Sequence, residues 1–208
     1  MKKIYMYVLD TMADWENGYL LQGLTLQRMS GEFKYELQTV SISKKPIKTS
    51  GGITIVPDIT IDEINDEQAG ALLLIGADTW SEKVNQQIIE VAHSFLKKGI
   101  LVAAICGATL GLADAKILNS YYHTSNALFF LKGQSKKYQG EKYYKDVPAV
   151  MDRNLITASS AGSLLWAKYI FESLKLYSYE TTEAWYNYFS SGKVEYFEEM
   201  IASLSAST

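Results

Sequence analysis

Cys106, the only cysteine in this 208-residue sequence, and the short side chains that follow it are the residues best placed to do chemistry. The run Ile100-Leu101-Val102-Ala103-Ala104-Ile105 is continuously apolar, as in a strand covered on both faces. Immediately after it, Cys106-Gly107-Ala108-Thr109-Leu110-Gly111-Leu112-Ala113 passes through small residues into a helical pattern. A nucleophile at a strand-to-helix elbow projects above the sheet edge, towards free backbone N–H groups and the positive end of the helix dipole. Such surroundings favour the thiolate, the form of cysteine that attacks a carbonyl carbon. Unpaired cysteine is also among the most buried residue types, so a plain packing role stands beside the reactive one.

A carboxyl group belongs to the same edge. Glu16, within Ala13-Asp14-Trp15-Glu16-Asn17-Gly18, is predicted in the first turn of the helix after the first strand. Loops that follow the strands of an open parallel sheet gather at its carboxyl edge, which brings Glu16 and Cys106 together. A helix start favours a carboxylate by about 0.3–1 kcal/mol, whereas a neighbouring thiolate and burial disfavour it. At contact distance the second influence dominates, and the pair holds one proton that titrates as a shared property. The alternative is an ordinary first-turn acid that stabilises its own helix.

Gly76-Ala77-Asp78 closes another buried strand, so the Ala77 N–H together with that of Gly107 could form an oxyanion hole. Of the two histidines, His93 falls on the surface of a sheet-packing helix. His123 is the one imidazole near the carboxyl edge, either a base for the thiol or a turn residue hydrogen-bonded to backbone. There is no Cys/His cluster and no Gly-Lys-Ser/Thr phosphate loop, so neither a metal nor a cofactor is expected.

The elements that must position these groups alternate between strand and helix patterns, the mark of βαβ units around a parallel sheet. Strands are predicted over 4–9, 35–41, 71–75, 100–105 and 155–158, with short strands over 121–125 and 143–151. Residues 47–57, broken by Ser50-Gly51-Gly52, read as a hairpin or extended excursion. Helices are predicted over 14–29, from an N-cap at Ser81 to a stop at Gly99, after the Cys106 elbow, and from Ser160-Ala161-Gly162-Ser163 through Leu174. From about residue 178 a helical extension follows, interrupted at Ser190-Ser191-Gly192, with the aromatics around Trp185 packed on the body or on a second subunit. The whole reads as one domain. Residues 132–145, rich in Lys and Tyr, are expected to form a solvated loop over the site entrance.

Composition narrows the function. Hydrophobic residues make up 48% and charged residues 21%, ordinary for a soluble globular protein. A net charge of -3 argues against a nucleic-acid partner, and no stretch reaches the ~20 apolar residues of a membrane span. The apolar run after Met1-Lys2-Lys3 breaks at Asp10 and reads as a strand, so a cytoplasmic location is expected.

The combined order of these pieces resembles the PfpI family of the class I glutamine amidotransferase-like superfamily. The resemblance rests on the helix-start acid, the strand-ending glycine, the Ala-Ile-Cys elbow, Thr49–Asp58, His123-Thr124-Ser125-Asn126 and Leu155–Gly162. It implies a flavodoxin-like three-layer α/β/α sandwich with a mostly parallel central sheet, and a homodimer. It implies Cys106 as reactive thiol, Glu16 as its carboxyl partner, and oxyanion donors near Ala77 and Gly107. The sequence departs from the family pattern at three places. Gly107 stands where the family's peptidases carry a histidine, Ile75-Gly76-Ala77 replaces Pro-Gly-Gly, and Asn126 aligns with a histidine of another branch. Three activities follow. One is a cysteine-dependent hydrolase acting on a small carbonyl or peptide substrate, of peptidase or glyoxalase/deglycase type. The others are a redox-sensing protective protein whose cysteine is oxidised, and a scaffold with a spent site.

Overall fold

The computed structural model describes residues 1–206. Its frame is a seven-stranded sheet built from β1 (Lys2–Tyr7), β2 (Tyr35–Ser41), β5 (Ile59–Thr60), β6 (Ala69–Leu74), β7 (Leu101–Ile105), β8 (Ala149–Asp152) and β9 (Leu155–Ala158). The spatial order is β5-β2-β1-β6-β7-β9-β8, with every pair parallel except β8 and β9. A small antiparallel pair, β3 (Ile47–Lys48) and β4 (Thr54–Ile55), forms the hairpin read from the Ser-Gly-Gly break. The central strands β6 and β7 are apolar and almost wholly buried, which is what a sheet covered on both faces demands.

Helices flank the sheet: α1 (Gly18–Leu24), α2 (Gln27–Ser30), α3 (Gln86–Lys97), α4 (Ala108–Asp114), α5 (Leu128–Gln134) and α6 (Ser163–Leu174). This is the flavodoxin-like three-layer α/β/α arrangement. The C-terminal extension is a helical pair, α7 (Tyr179–Ser191) and α8 (Val194–Ala206), parted by Gly192 at a left-handed φ of 70°. It packs on the body through Trp185, whose ring lies 4.9 Å from that of Phe171 and whose Nε1 donates to Gln22 Oε1 at 2.6 Å. Among the described residues no helix is long and apolar enough to cross a membrane.

Several expected boundaries move. The helix predicted over 14–29 is two short helices, because its leucine spacing runs straight through a turn at Thr25-Leu26. Glu16 therefore sits in the turn before α1 and not in its first helical turn. Ser81 does not cap α3: a 3₁₀ turn over Lys83–Asn85 precedes the helix. Residues 121–125 form no strand and contribute only an isolated bridge from His123 to Tyr144. The Lys/Tyr-rich segment is more ordered than a solvated loop, with a 3₁₀ turn over Glu141–Tyr143 and a buried Tyr138.

Candidate active site

Three loops at the carboxyl edge of the sheet are tied together around Cys106. The loop after β1 is held to the hairpin by Thr11 N–H, which donates to Lys48 O at 2.8 Å, and by Ser50 N–H, which donates to Met12 O at 2.9 Å. The same loop holds the turn after β6, where Asp78 N–H donates to Thr11 Oγ1 at 3.0 Å and Ala13 N–H to Gly76 O at 2.8 Å. Trp80 fixes that turn from below, donating from Nε1 to Ile75 O at 2.7 Å. The result is a cleft of about 360 Å3 lined by Glu16, Gly76, Ala77, Asp78, Cys106, Gly107 and Asn126, among others.

Cys106 is the elbow itself. Its φ of 57° lies in the left-handed region, which costs a non-glycine residue on the order of 1–2 kcal/mol. The surroundings enforce it: its N–H donates to Ala158 O at 2.9 Å, and its carbonyl accepts from Thr109 N–H at 3.1 Å and Thr109 Oγ1 at 2.6 Å. Gly107 must be glycine, because a Cβ there would come within 2.7 Å of Ala77 O. The close approach also brings Ala77 N within 3.3 Å of that position, so the turns after β6 and β7 face each other. Neither Ala77 N–H nor Gly107 N–H donates to a backbone carbonyl among the described residues.

The sulfur is half-buried and accepts from Asn126 Nδ2 at 3.1 Å and from Gly107 N–H. Asn126 is itself oriented by Ser160 N–H, which donates to its Oδ1 at 2.8 Å. Glu16 is fully buried, with Oε2 accepting Gly76 N–H at 2.7 Å. Its Oε1 is buried without an N or O partner, and the thiol is the neighbour left to it. A Cβ on Gly76 would lie 2.6 Å from Glu16 Oε2 and 2.7 Å from Cys106 Cβ, a measure of how closely acid and thiol converge on this glycine.

Burial governs the electrostatics. It raises the Glu16 carboxyl above its ordinary range, against the opposing hydrogen bonds from Cys106 and Gly76. It also pushes the Cys106 thiol up, to about 11 when the charge of Glu16 adds to it. Burial first, and the charge of Glu16 second, thus work against the lowering expected at the elbow.

The structure brings together Cys106, Glu16, Ala77 and Gly107. It does not bring His123. That ring is fully buried outside the cleft, with Nδ1 2.7 Å from Tyr121 O and Nε2 2.8 Å from the Tyr138 hydroxyl. A carbonyl only accepts, so Nδ1 carries the proton and Nε2 is occupied by the phenol. Burial lowers its pKa, against the opposing hydrogen bond to Tyr121 O. The expectation of His123 as a base is thus corrected in favour of its structural reading. Asn126 takes the place beside the sulfur that sequence reasoning left unassigned. His93 is exposed on α3, as expected. Among the described residues no group of three or more His, Cys, Asp or Glu is placed to hold a metal ion.

The family model described as DJ-1/PfpI matches residues 2–173. A Bacillus subtilis protein named uncharacterized protease YoaZ is 39% identical over 206 residues, covering 98% of each chain. The Pyrococcus furiosus protein named deglycase PfpI is 25% identical, over 68% of this chain and 84% of its own. Among solved structures, the thiJ/pfpI family protein from Bacillus anthracis superposes with a TM-score of 0.91 at 39% identity, covering 97% of this chain and 96% of its own.

Proposed function

Because the chain belongs to the DJ-1/PfpI family, we propose that it is a cysteine-dependent hydrolase of small carbonyl compounds, with Cys106 as nucleophile. The observation that carries this reading is the unpartnered Oε1 of a fully buried Glu16 beside the sulfur. So enclosed a pair supports one negative charge and not two. A charged Glu16 would have only the weak thiol S–H for its buried Oε1, whereas a charged sulfur already receives Asn126 and Gly107. The proton therefore belongs on Oε1. It removes the repelling carboxylate and supplies the thiolate with a further donor.

The chemistry follows from that placement. The thiolate attacks the carbonyl carbon, a C–S bond forms, and the π pair moves onto oxygen. The developing oxyanion is met by the N–H groups of Ala77 and Gly107, the latter freed from the sulfur as its charge is spent. Collapse of this intermediate breaks the bond to the leaving amine or alcohol, which takes the Glu16 proton. Water then cleaves the thioester and returns a proton to the carboxylate as the acid product departs. The names protease and deglycase borne by relatives are compatible with this class.

The acyl-enzyme is the testable species. Mixing the protein with p-nitrophenyl acetate and quenching in acid should give a chain heavier by one acetyl group, mapped to the Cys106 peptide. A folded chain that gains no acetyl group, yet whose sulfur takes up oxygen from peroxide, would overturn the hydrolase reading in favour of the redox one.

A further inference from the structure

The charge of the cleft is lopsided. Among the described residues, the only ionisable acid or base side chains that line it besides Cys106 are Asp78 and Glu16, the latter protonated in the chemistry above; no Lys, Arg or His lines it. Asp78 is exposed at the mouth, and among the described residues its carboxylate enters no hydrogen bond or ion pair. A neighbouring cleft of about 270 Å3, which shares Trp80 and Ser81 as lining residues, carries Glu82, Glu90 and Asp114 against a single Lys137. Lys48, on the hairpin beside Ser50, does not line the cleft. Trp15, more than half exposed, and Phe130 also line the cavity.

Resting on the thiol chemistry proposed above, we infer that the cleft selects carbonyl substrates bearing an ammonium group over those bearing a carboxylate or phosphate, with Asp78 as the residue that reads the charge. A cleft of one sign with low-dielectric walls focuses its field at the mouth and raises the local concentration of the opposite charge. The aromatic rings act in the same direction, since a cation is attracted to a ring face whereas an anion is not. An anionic substrate meets the reverse: repulsion from Asp78 and the thiolate, and no guanidinium or ammonium to replace its water. Selectivity of this kind enters before bond formation, through the encounter and the bound complex.

The single cysteine makes the test direct, because thiol reagents can label nothing else. Methanethiosulfonates form a disulfide with the thiolate and expel methanesulfinate, and they exist in neutral, trimethylammonium and sulfonate forms. Labelling rates of the full chain at low ionic strength are divided by those of free 2-mercaptoethanol. The cationic reagent should then outpace the anionic one by at least about tenfold, a ratio in the range such fields produce. Asp78→Asn should cut that ratio severalfold, and 0.5 M salt should do the same to the unaltered chain. The salt arm carries the test if the variant fails to fold. A normalised ratio near one, or one that neither Asp78→Asn nor salt reduces, overturns the inference. The neutral reagent reports on the thiolate alone. Slow labelling by it with the charge ratio intact would sink the catalytic reading and leave this one standing.

Discussion

Replacement of Cys106 by alanine should abolish ester and carbonyl turnover, lowering kcat/KM by at least about a thousandfold. The chain offers no second thiol to take over, and the neighbouring hydroxyls of Thr109 and Ser125 are bonded to each other at 2.7 Å. Thr109 Oγ1 is further committed to the Cys106 carbonyl. Residual activity would be that of the N–H groups and the cleft acting without a nucleophile. Alanine also keeps the Cβ and the left-handed backbone, so the elbow should survive and thermal unfolding should move little. Undiminished turnover by the folded variant would discard the covalent mechanism.

Gly76→Ala should be nearly as damaging, although it removes no functional group. The added methyl would stand 2.6 Å from Glu16 Oε2 and 2.8 Å from Oε1, and it would press on Cys106 Cβ at 2.7 Å. Glu16 can swing its carboxyl aside only by leaving the Gly76 N–H, and Cys106 is fixed by its backbone hydrogen bonds. Displacing a reacting group by about 1 Å costs on the order of a hundredfold in rate, and overpacking a filled site costs about 1–3 kcal/mol of stability. Turnover should therefore fall about a hundredfold, with a urea midpoint lowered by a corresponding amount. Wild-type turnover in this variant would show that the contact between acid and thiol is not needed.

The sheet and the elbow were legible in the sequence because both are written in local pattern. The unbroken apolar runs at 71–75 and 100–105 announce strands covered on two faces, and the sudden small residues after Ile105 announce the turn. The parallel topology then carries Glu16, Ala77 and Gly107 to Cys106 without further information. Asn126 escaped because its loop has no periodicity to tell one face from the other. His123 and Asn126 are three residues apart there, and backbone tethers at Tyr121 and Ser160 decide which one meets the sulfur. Only the alignment of Asn126 with a histidine of a related branch hinted at it. The break between α1 and α2 was missed for a related reason: leucine spacing is continuous across Thr25, while the fold interrupts the helix there. The upward pull of burial on the thiol also lies outside sequence, since burial is a property of the assembled site.

Placing the pair's proton on Glu16 and its charge on sulfur at neutral pH predicts that the pH profile of Cys106 alkylation by iodoacetamide has a rate midpoint below the ~8.5 of a free thiol. It also predicts little change in Glu16→Gln, whose neutral amide can face the sulfur as the protonated acid does. A midpoint near about 11 that falls steeply in Glu16→Gln would contradict it, because the carboxylate would then be the charged partner that holds the thiol protonated.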